Sequence, residues 1–132
     1  MVPKNSKIRI ARPSDNLEAI SRMYQKGLGF EKISEFVDHN GFDGIILGDR
    51  NSQYHLEFTH HRGTIAGKAP TRDNLLIFYI PDKQEWDSAC KQMLTAGFAL
   101  VKSYNNYWDK SGRTFEDLDG YRVVLQNSNW LE

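Results

Sequence analysis

The chain has 132 residues, about one domain's worth on the prior of ~100–200 residues per domain. Its 17 Lys and Arg cancel 17 Asp and Glu, whereas a nucleic-acid module normally carries a basic excess on one face. A single cysteine, Cys90, excludes an intrachain disulfide and a multi-cysteine zinc site. No apolar run approaches the ~18–20 residues of a membrane span and the first residues lack a signal-peptide core. A cytoplasmic protein with no nucleic-acid and no membrane partner is therefore expected.

In chain order, a short strand is expected at Lys7–Arg12, then a helix opened by Asp15 and closed by Gly29. Asp15 with Glu18 three places on has the form of an acidic capping box. Leu17, Ile20, Met23, Tyr24 and Leu28 follow at helical spacing. Strands are expected at Lys32–Asp38, Gly44–Leu47 and Gln53–Thr59, separated by turns rich in Asn, Asp and Gly, which tolerate positive φ. A linker with Gly63, Gly67 and Pro70 leads to a strand at Asn74–Ile80. Asp82, with Glu85 three places on, opens a second helix that carries Trp86, Ala89, Cys90, Met93 and Leu94 on its apolar stripe and ends at Gly97. Strands at Ala99–Tyr104, Gly112–Glu116 and Tyr121–Asn127 complete the chain, the first two divided by the polar loop 105–111.

The two halves repeat one another. Each reads strand–helix–strand–strand–strand, and Asp15 and Asp82 set the offset at 67 residues. Only two copies are present, so this is a duplicated module and not a solenoid. One α+β domain is expected, with module one at about 6–60, a linker at about 61–73 and module two at about 74–130. Halves this small are expected to share a core.

Paired βαβββ modules resemble the vicinal oxygen chelate superfamily of glyoxalase I, extradiol dioxygenases and bleomycin- and fosfomycin-resistance proteins. Arg12-Pro13-Ser14-Asp15, Leu17-Glu18-Ala19, Tyr24 and Gly27-Leu28-Gly29-Phe30 are similar to the superfamily's first strand–helix motif. Phe115-Glu116-Asp117-Leu118-Asp119-Gly120 with Tyr121 through Leu125 resembles its last hairpin, with Leu118 where proline is usual. His39 through Gly44, Tyr54 through Thr59 and Asn106 through Asp109 are similar to a bacterial branch of the superfamily. The resemblance implies curled mixed sheets around a cavity between the modules, a small-molecule ligand there and a homodimeric assembly. The fold hosts many reactions, so it does not name one.

The resemblance also implies where a metal ion would be held: at Ile8 or Arg9, Glu57, Leu75 and Val124. The 67-residue offset relates Ile8 to Leu75 and Glu57 to Val124. Of these only Glu57 is a ligand type, and a hard cation needs several oxygen or nitrogen donors. No metal and no other cofactor is expected at the usual positions. A substitute site would start from His55 and Glu57, two apart and so on one face of a strand, with His39 or Asp109 as a third donor.

Strand alternation divides the side chains into two sets. Leu56, Phe58, Leu76, Phe78, Ile80, Val123 and Leu125 are uniformly apolar and expected beneath the helices. The second set has the parity of Glu57: Ile8, Ile10 and Arg12; His55 and Thr59; Leu75, Ile77 and Tyr79; Arg122, Val124 and Gln126. By this parity Arg9 falls on the packed face, which leaves the first strand's register open by one residue. An apolar cleft with a few converging polar groups is the usual form of a small-molecule site. Arg12, Tyr79, Arg122 and Gln126 are the expected ligand contacts, with Tyr107 and Trp108 closing the site from the loop.

Glu57 and His55 are the candidate catalytic pair, Glu57 as general base and His55 as its relay. Glu57 paired with Arg12 or Arg122 as a plain ion pair is the competing reading. Two functions stay open: a metal-free binder of an aromatic or amphiphilic molecule, and a lyase, isomerase or dioxygenase-like enzyme that uses Glu57 as base or ligand.

Overall fold

The computed structural model describes residues 1–131. Its elements run β1 (Ile8–Pro13), α1 (Leu17–Leu28), β2 (Glu31–His39), β3 (Phe42–Gly48), β4 (Tyr54–His61), β5 (Leu75–Tyr79), α2 (Lys83–Thr95), β6 (Ala99–Val101), a 3-10 turn (Asn106–Asp109), β7 (Gly112–Glu116) and β8 (Arg122–Gln126). They form two four-stranded mixed sheets, ordered β1-β4-β3-β2 and β5-β8-β7-β6. In each sheet the first strand lies parallel to the fourth, and the other pairs are antiparallel. The described residues divide into two compact units, residues 1–25 with 29–67, and residues 26–28 with 68–131. No helix among the described residues is long and apolar enough to cross a membrane.

In the first unit Ile20, Tyr24, Leu47, Leu56 and Phe58 are buried. The Tyr24 and Phe58 rings lie 5.0 Å apart, which puts α1 over the Leu56/Phe58 face of β4, as the alternation predicts. In the second unit Trp86 of α2 donates its indole N–H to the Leu125 carbonyl at 2.8 Å. The Arg113 guanidinium, level with Leu125 on the neighbouring strand, lies 4.8 Å from the Trp86 ring. Trp86, Cys90, Met93, Phe115, Val123 and Leu125 are buried in this unit.

Three details of the expected elements change. Asn16, not Asp15, caps α1 and accepts from Ala19 N at 3.1 Å. The Asp15 carboxylate is engaged elsewhere, receiving the N–H groups of Ala66 and Gly67 at 2.8 and 2.9 Å. β4 runs on to His61, because its ladder with β3 continues to the pair Phe42–His61, whose rings stack 4.3 Å apart. β6 stops at Val101 instead of reaching Tyr104. There the chain turns away, and Ser103 N donates to the Asp109 carboxylate, closing the loop on itself. The ends expected from glycine and aspartate hold elsewhere. Gly29 is left-handed at φ 73° after α1, and Asp82 caps α2 by accepting from Glu85 N at 2.9 Å.

Two measurements check this local chemistry. Asn16→Ala is expected to lower unfolding free energy by ~1 kcal/mol in urea melts. Asp15→Ala should instead speed hydrogen exchange at Ala66 and Gly67 while leaving Ala19 protected. Burial pushes the Cys90 thiol up from its ordinary pKa. Iodoacetamide at pH 8 should therefore leave Cys90 of the folded protein unmodified while labelling the unfolded chain.

Candidate functional site

In a parallel pair, residues level with one another present their side chains to the same side of the sheet. β1 lies on β4 with Ile8 beside Tyr54, Ile10 beside Leu56 and Arg12 beside Phe58. Ile8, Ile10 and Arg12 therefore belong to the helix side, which corrects the parity expected for this strand. Arg12 is buried there and donates to the Tyr24 hydroxyl at 3.3 Å. Residues Arg9, Ala11 and Pro13 share the side of His55, Glu57 and Thr59.

The partner of Glu57 is accordingly Arg9, neither Arg12 nor Arg122. Arg9 Nη1 donates to Glu57 Oε1 at 3.4 Å, near the long limit for a hydrogen bond. The two side chains are 49% and 18% exposed, and an ion pair this open contributes ~0–1 kcal/mol to stability. Around it the sheet face carries small and apolar groups. Ala11, Ile46 and Ser34 lie level with Glu57, while Gly48 lies level with His55 and Arg9. At Gly44 the Phe36 ring lies so close that a Cβ would stand 2.2 Å from it. Phe36 thus fills the space a side chain at position 44 would need.

The second unit gathers part of the expected set. Arg122 is buried, but it is satisfied by its own neighbours: Nε donates to Glu116 Oε2 at 3.0 Å and Nη1 to the Lys102 carbonyl at 3.3 Å. Glu116 is the residue that strand reasoning passed over. Gln126 is 4% exposed, and its Oε1 has no hydrogen-bond partner among the described residues. Its amide lies against Gly112, where a Cβ would come within 1.8 Å of Oε1. Gln126 lines a cavity of 360 Å³ with Tyr107, Lys110, Ser111 and Ser128. Tyr107 and Trp108 meet edge to face at 5.0 Å on the 3-10 turn, with the Lys110 ammonium 6.0 Å from the Tyr107 ring. Tyr79 lies level with Gln126 on the edge strand and is 40% exposed. A second cavity of 430 Å³ is lined by residues 68–72 with Glu116, Leu118 and Gly120.

The register also decides how a metal ion would fare. On the Glu57 side the residues of the first strand are Arg9, Ala11 and Pro13, and on the Val124 side of the second sheet they are Leu75, Ile77 and Tyr79. Glu57 is the one carboxylate in this set, and it faces the Arg9 guanidinium. Three of the four histidines are engaged elsewhere, while His55 shares the side of Glu57. His60 Nδ1 lies 3.1 Å from the Ser14 carbonyl on the helix side, His61 stacks on Phe42, and His39 packs edge-on to Phe36. Among the described residues no group of three His, Cys, Asp or Glu side chains could hold a metal ion. The donor set does not fit the superfamily's metal.

Comparison with known proteins places this architecture. The model of the YycE-like N-terminal domain matches residues 8–59, and that of the YycE-like C-terminal domain matches residues 73–127. The chain belongs to the YycE-like family. It is 42% identical over 126 residues to the uncharacterized protein YycE of Bacillus subtilis strain 168, covering 96% of this chain and 91% of that one. A crystal structure of a Bacillus subtilis YycE protein of unknown function, a candidate glyoxalase/fosfomycin-resistance protein, superposes with a TM-score of 0.88 at 40% identity. That match covers 98% of this chain and 94% of the other.

More distant structures share the fold. The fosfomycin-resistance protein FosX of Mesorhizobium loti gives a TM-score of 0.73 at 13% identity, over 98% of this chain and 95% of its own. The trypanothione-dependent glyoxalase I of Leishmania major gives 0.68 at 17%, over 91% and 84%. The YycE-like protein therefore has the α+β glyoxalase fold of the vicinal oxygen chelate superfamily, as its sequence motifs imply.

The niche at Gly112 yields a test. Gly112→Ala sets a Cβ against Gln126 Oε1 and 2.9 Å from the Leu125 carbonyl, so side chain and backbone must both shift. We expect a loss of ~1–3 kcal/mol in stability, read from thermal unfolding, with displaced amide signals of Gln126 in NMR spectra.

Proposed function

We propose that this YycE-like protein binds a small organic molecule on the sheet face around Glu57, without a metal ion at the superfamily's ligand positions. The observation that carries this reading is the Glu57 carboxylate itself. It is mostly buried, held by one long contact, and set among Ala11, Ile46 and the side-chain-free Gly48. An apolar floor with a few converging polar groups suits a small ligand. The 360 Å³ cavity in the second unit adds support, because Gln126, whose Oε1 is unsatisfied among the described residues, lines it together with Tyr107. An orphaned buried acceptor costs ~1–3 kcal/mol, and a ligand's donor would recover that cost once the amide turned toward it.

A metal-free enzyme is the second reading, favoured by the free lone pairs of Glu57 and by His55 two residues away on the same side. In that reading Glu57 takes a proton from the bound molecule, and Arg9 replaces Arg12 as the cation for a developing oxyanion. We further propose a cytoplasmic homodimer. The exposed Val37 and Leu100 on the edge strands β2 and β6 support the pairing, since apolar edges invite a partner.

Calorimetric titration with Ni²⁺, Mn²⁺, Fe²⁺ and Zn²⁺ should give no stoichiometric binding to the wild type. A tight site lost in Glu57→Gln would overturn the metal-free reading. With an organic ligand in hand, Glu57→Gln separates the two functions. A binder keeps its affinity within about threefold, whereas an enzyme keeps affinity and loses turnover by ~100-fold or more, the usual contribution of a general base.

A further inference from the structure

We propose that the 360 Å³ cavity at Gln126 is a binding site of its own, for a neutral polyhydroxylated molecule of one ring, a monosaccharide in kind. Its lining residues, Tyr107, Lys110, Ser111, Gln126 and Ser128, all belong to the second unit. The site shares no residue with the Glu57 face, so either can fail without the other.

The walls of the cavity are held from behind. Asn127 N donates to the Ser111 carbonyl at 2.7 Å, and Asn127 Nδ2 donates to the Ile80 and Pro81 carbonyls at 3.1 and 3.0 Å. Ser111 and Ser128 therefore flank a residue that is fixed on both sides. Asn105 Oδ1 receives the Tyr107 N–H at 3.1 Å, and Trp108 meets the Tyr107 ring edge to face. Between these walls the buried Gln126 keeps an Oε1 with no hydrogen-bond partner among the described residues. A buried acceptor without a donor is costly, and a bound molecule that supplies the donor removes that cost.

The lining sets the chemistry of that molecule. Two hydroxyls, an amide and an ammonium stand beside one phenol ring. An apolar ligand would strip water from these groups and return no hydrogen bond. The one lining charge, on Lys110, is exposed and so is screened by salt. A hydroxyl both donates and accepts. It meets the Gln126 amide whether the oxygen faces it or, after a half-turn of the last side-chain bond, the nitrogen does. The C–H face of a sugar ring packs on the face of the half-exposed Tyr107 ring, which carries partial negative charge. The volume lies at the low end of the ~300–1,000 Å³ usual for ligand pockets, which suits a single ring.

The test is titration of the full chain with methyl β-D-glucopyranoside, followed by two-dimensional amide NMR. The side-chain amide of Gln126 and the backbone N–H signals of Ser111, Gly112 and Ser128 should move together and saturate. Tetrahydropyran, a ring of like size without hydroxyls, should leave them in place, and added NaCl should not weaken the glucoside. Gln126→Met keeps the unbranched side chain and removes the amide, and affinity should fall about tenfold. Tyr107→Leu, at an exposed position, should weaken binding roughly fivefold with thermal unfolding unchanged.

Unmoved signals at Gln126 in the wild type, or affinity unchanged in either variant, overturn the site. Tighter binding of benzoate than of the glucoside, weakened by NaCl, also overturns it and makes the cavity an anion site of Lys110. Signals that move at Arg9, Ala11 and Glu57 instead overturn the Gln126 site and leave the reading of the Glu57 face standing.

Discussion

The parallel pairing of the first strand on the fourth is the constraint from which the rest of each unit follows. It is a crossover connection, since α1 and two further strands intervene before β4 returns beside β1. A shift of one residue in that ladder would exchange the two sides of the strand. In the first unit the observed register sends Ile10 and Arg12 to the helix side with Leu56 and Phe58, and Arg9 to the side of Glu57. The hydrophobic requirement of the helix side enforces this choice, because Tyr24 and Phe58 form its packed centre and the Arg12 guanidinium finds the Tyr24 hydroxyl there.

The chemistry of the open side follows from the same ladder. Three of the superfamily's four ligand positions lack a donor, and the fourth, Glu57, faces a cation. The two buried arginines, Arg12 and Arg122, are engaged by their own units, one with a tyrosine and one with Glu116 and a carbonyl. Arg9 is half exposed and meets Glu57 through one 3.4 Å contact. Burial and pairing thus separate two arginines engaged inside their own units from one at the open face of the first sheet.

Much of the fold is legible in the amino-acid sequence. The two helices, their apolar stripes, the eight strands and the duplicated order all follow from spacing, and the motifs at 12–30 and 115–125 point to the superfamily. The error in the first strand and the error at the helix cap have one cause. Taking Asp15 as the counterpart of Asp82 sets the repeat at 67 residues, whereas the caps are Asn16 and Asp82, 66 apart. The strand partners of Glu57 and Val124, Ala11 and Ile77, are also 66 apart, while Glu57 and Val124 themselves are 67 apart. Asn16 is as good a cap as aspartate, so the capping signal stands in the sequence one position beyond Asp15.

Local chemistry determines where this chain forms helices and strands, because capping, glycine turns and apolar periodicity act within a few residues. The sequence by itself also puts leucine and valine at two of the positions where the resemblance implies metal ligands, and their side chains carry no donor atom. Only tertiary structure decided that Arg9 meets Glu57, that Asp15 ties down residues 66 and 67, and that Gln126 lies in the niche left by Gly112. Each of these contacts joins residues between 14 and 52 positions apart. Their occurrence depends on strand register and on which donors and acceptors are already occupied, quantities that exist once the sheets are assembled.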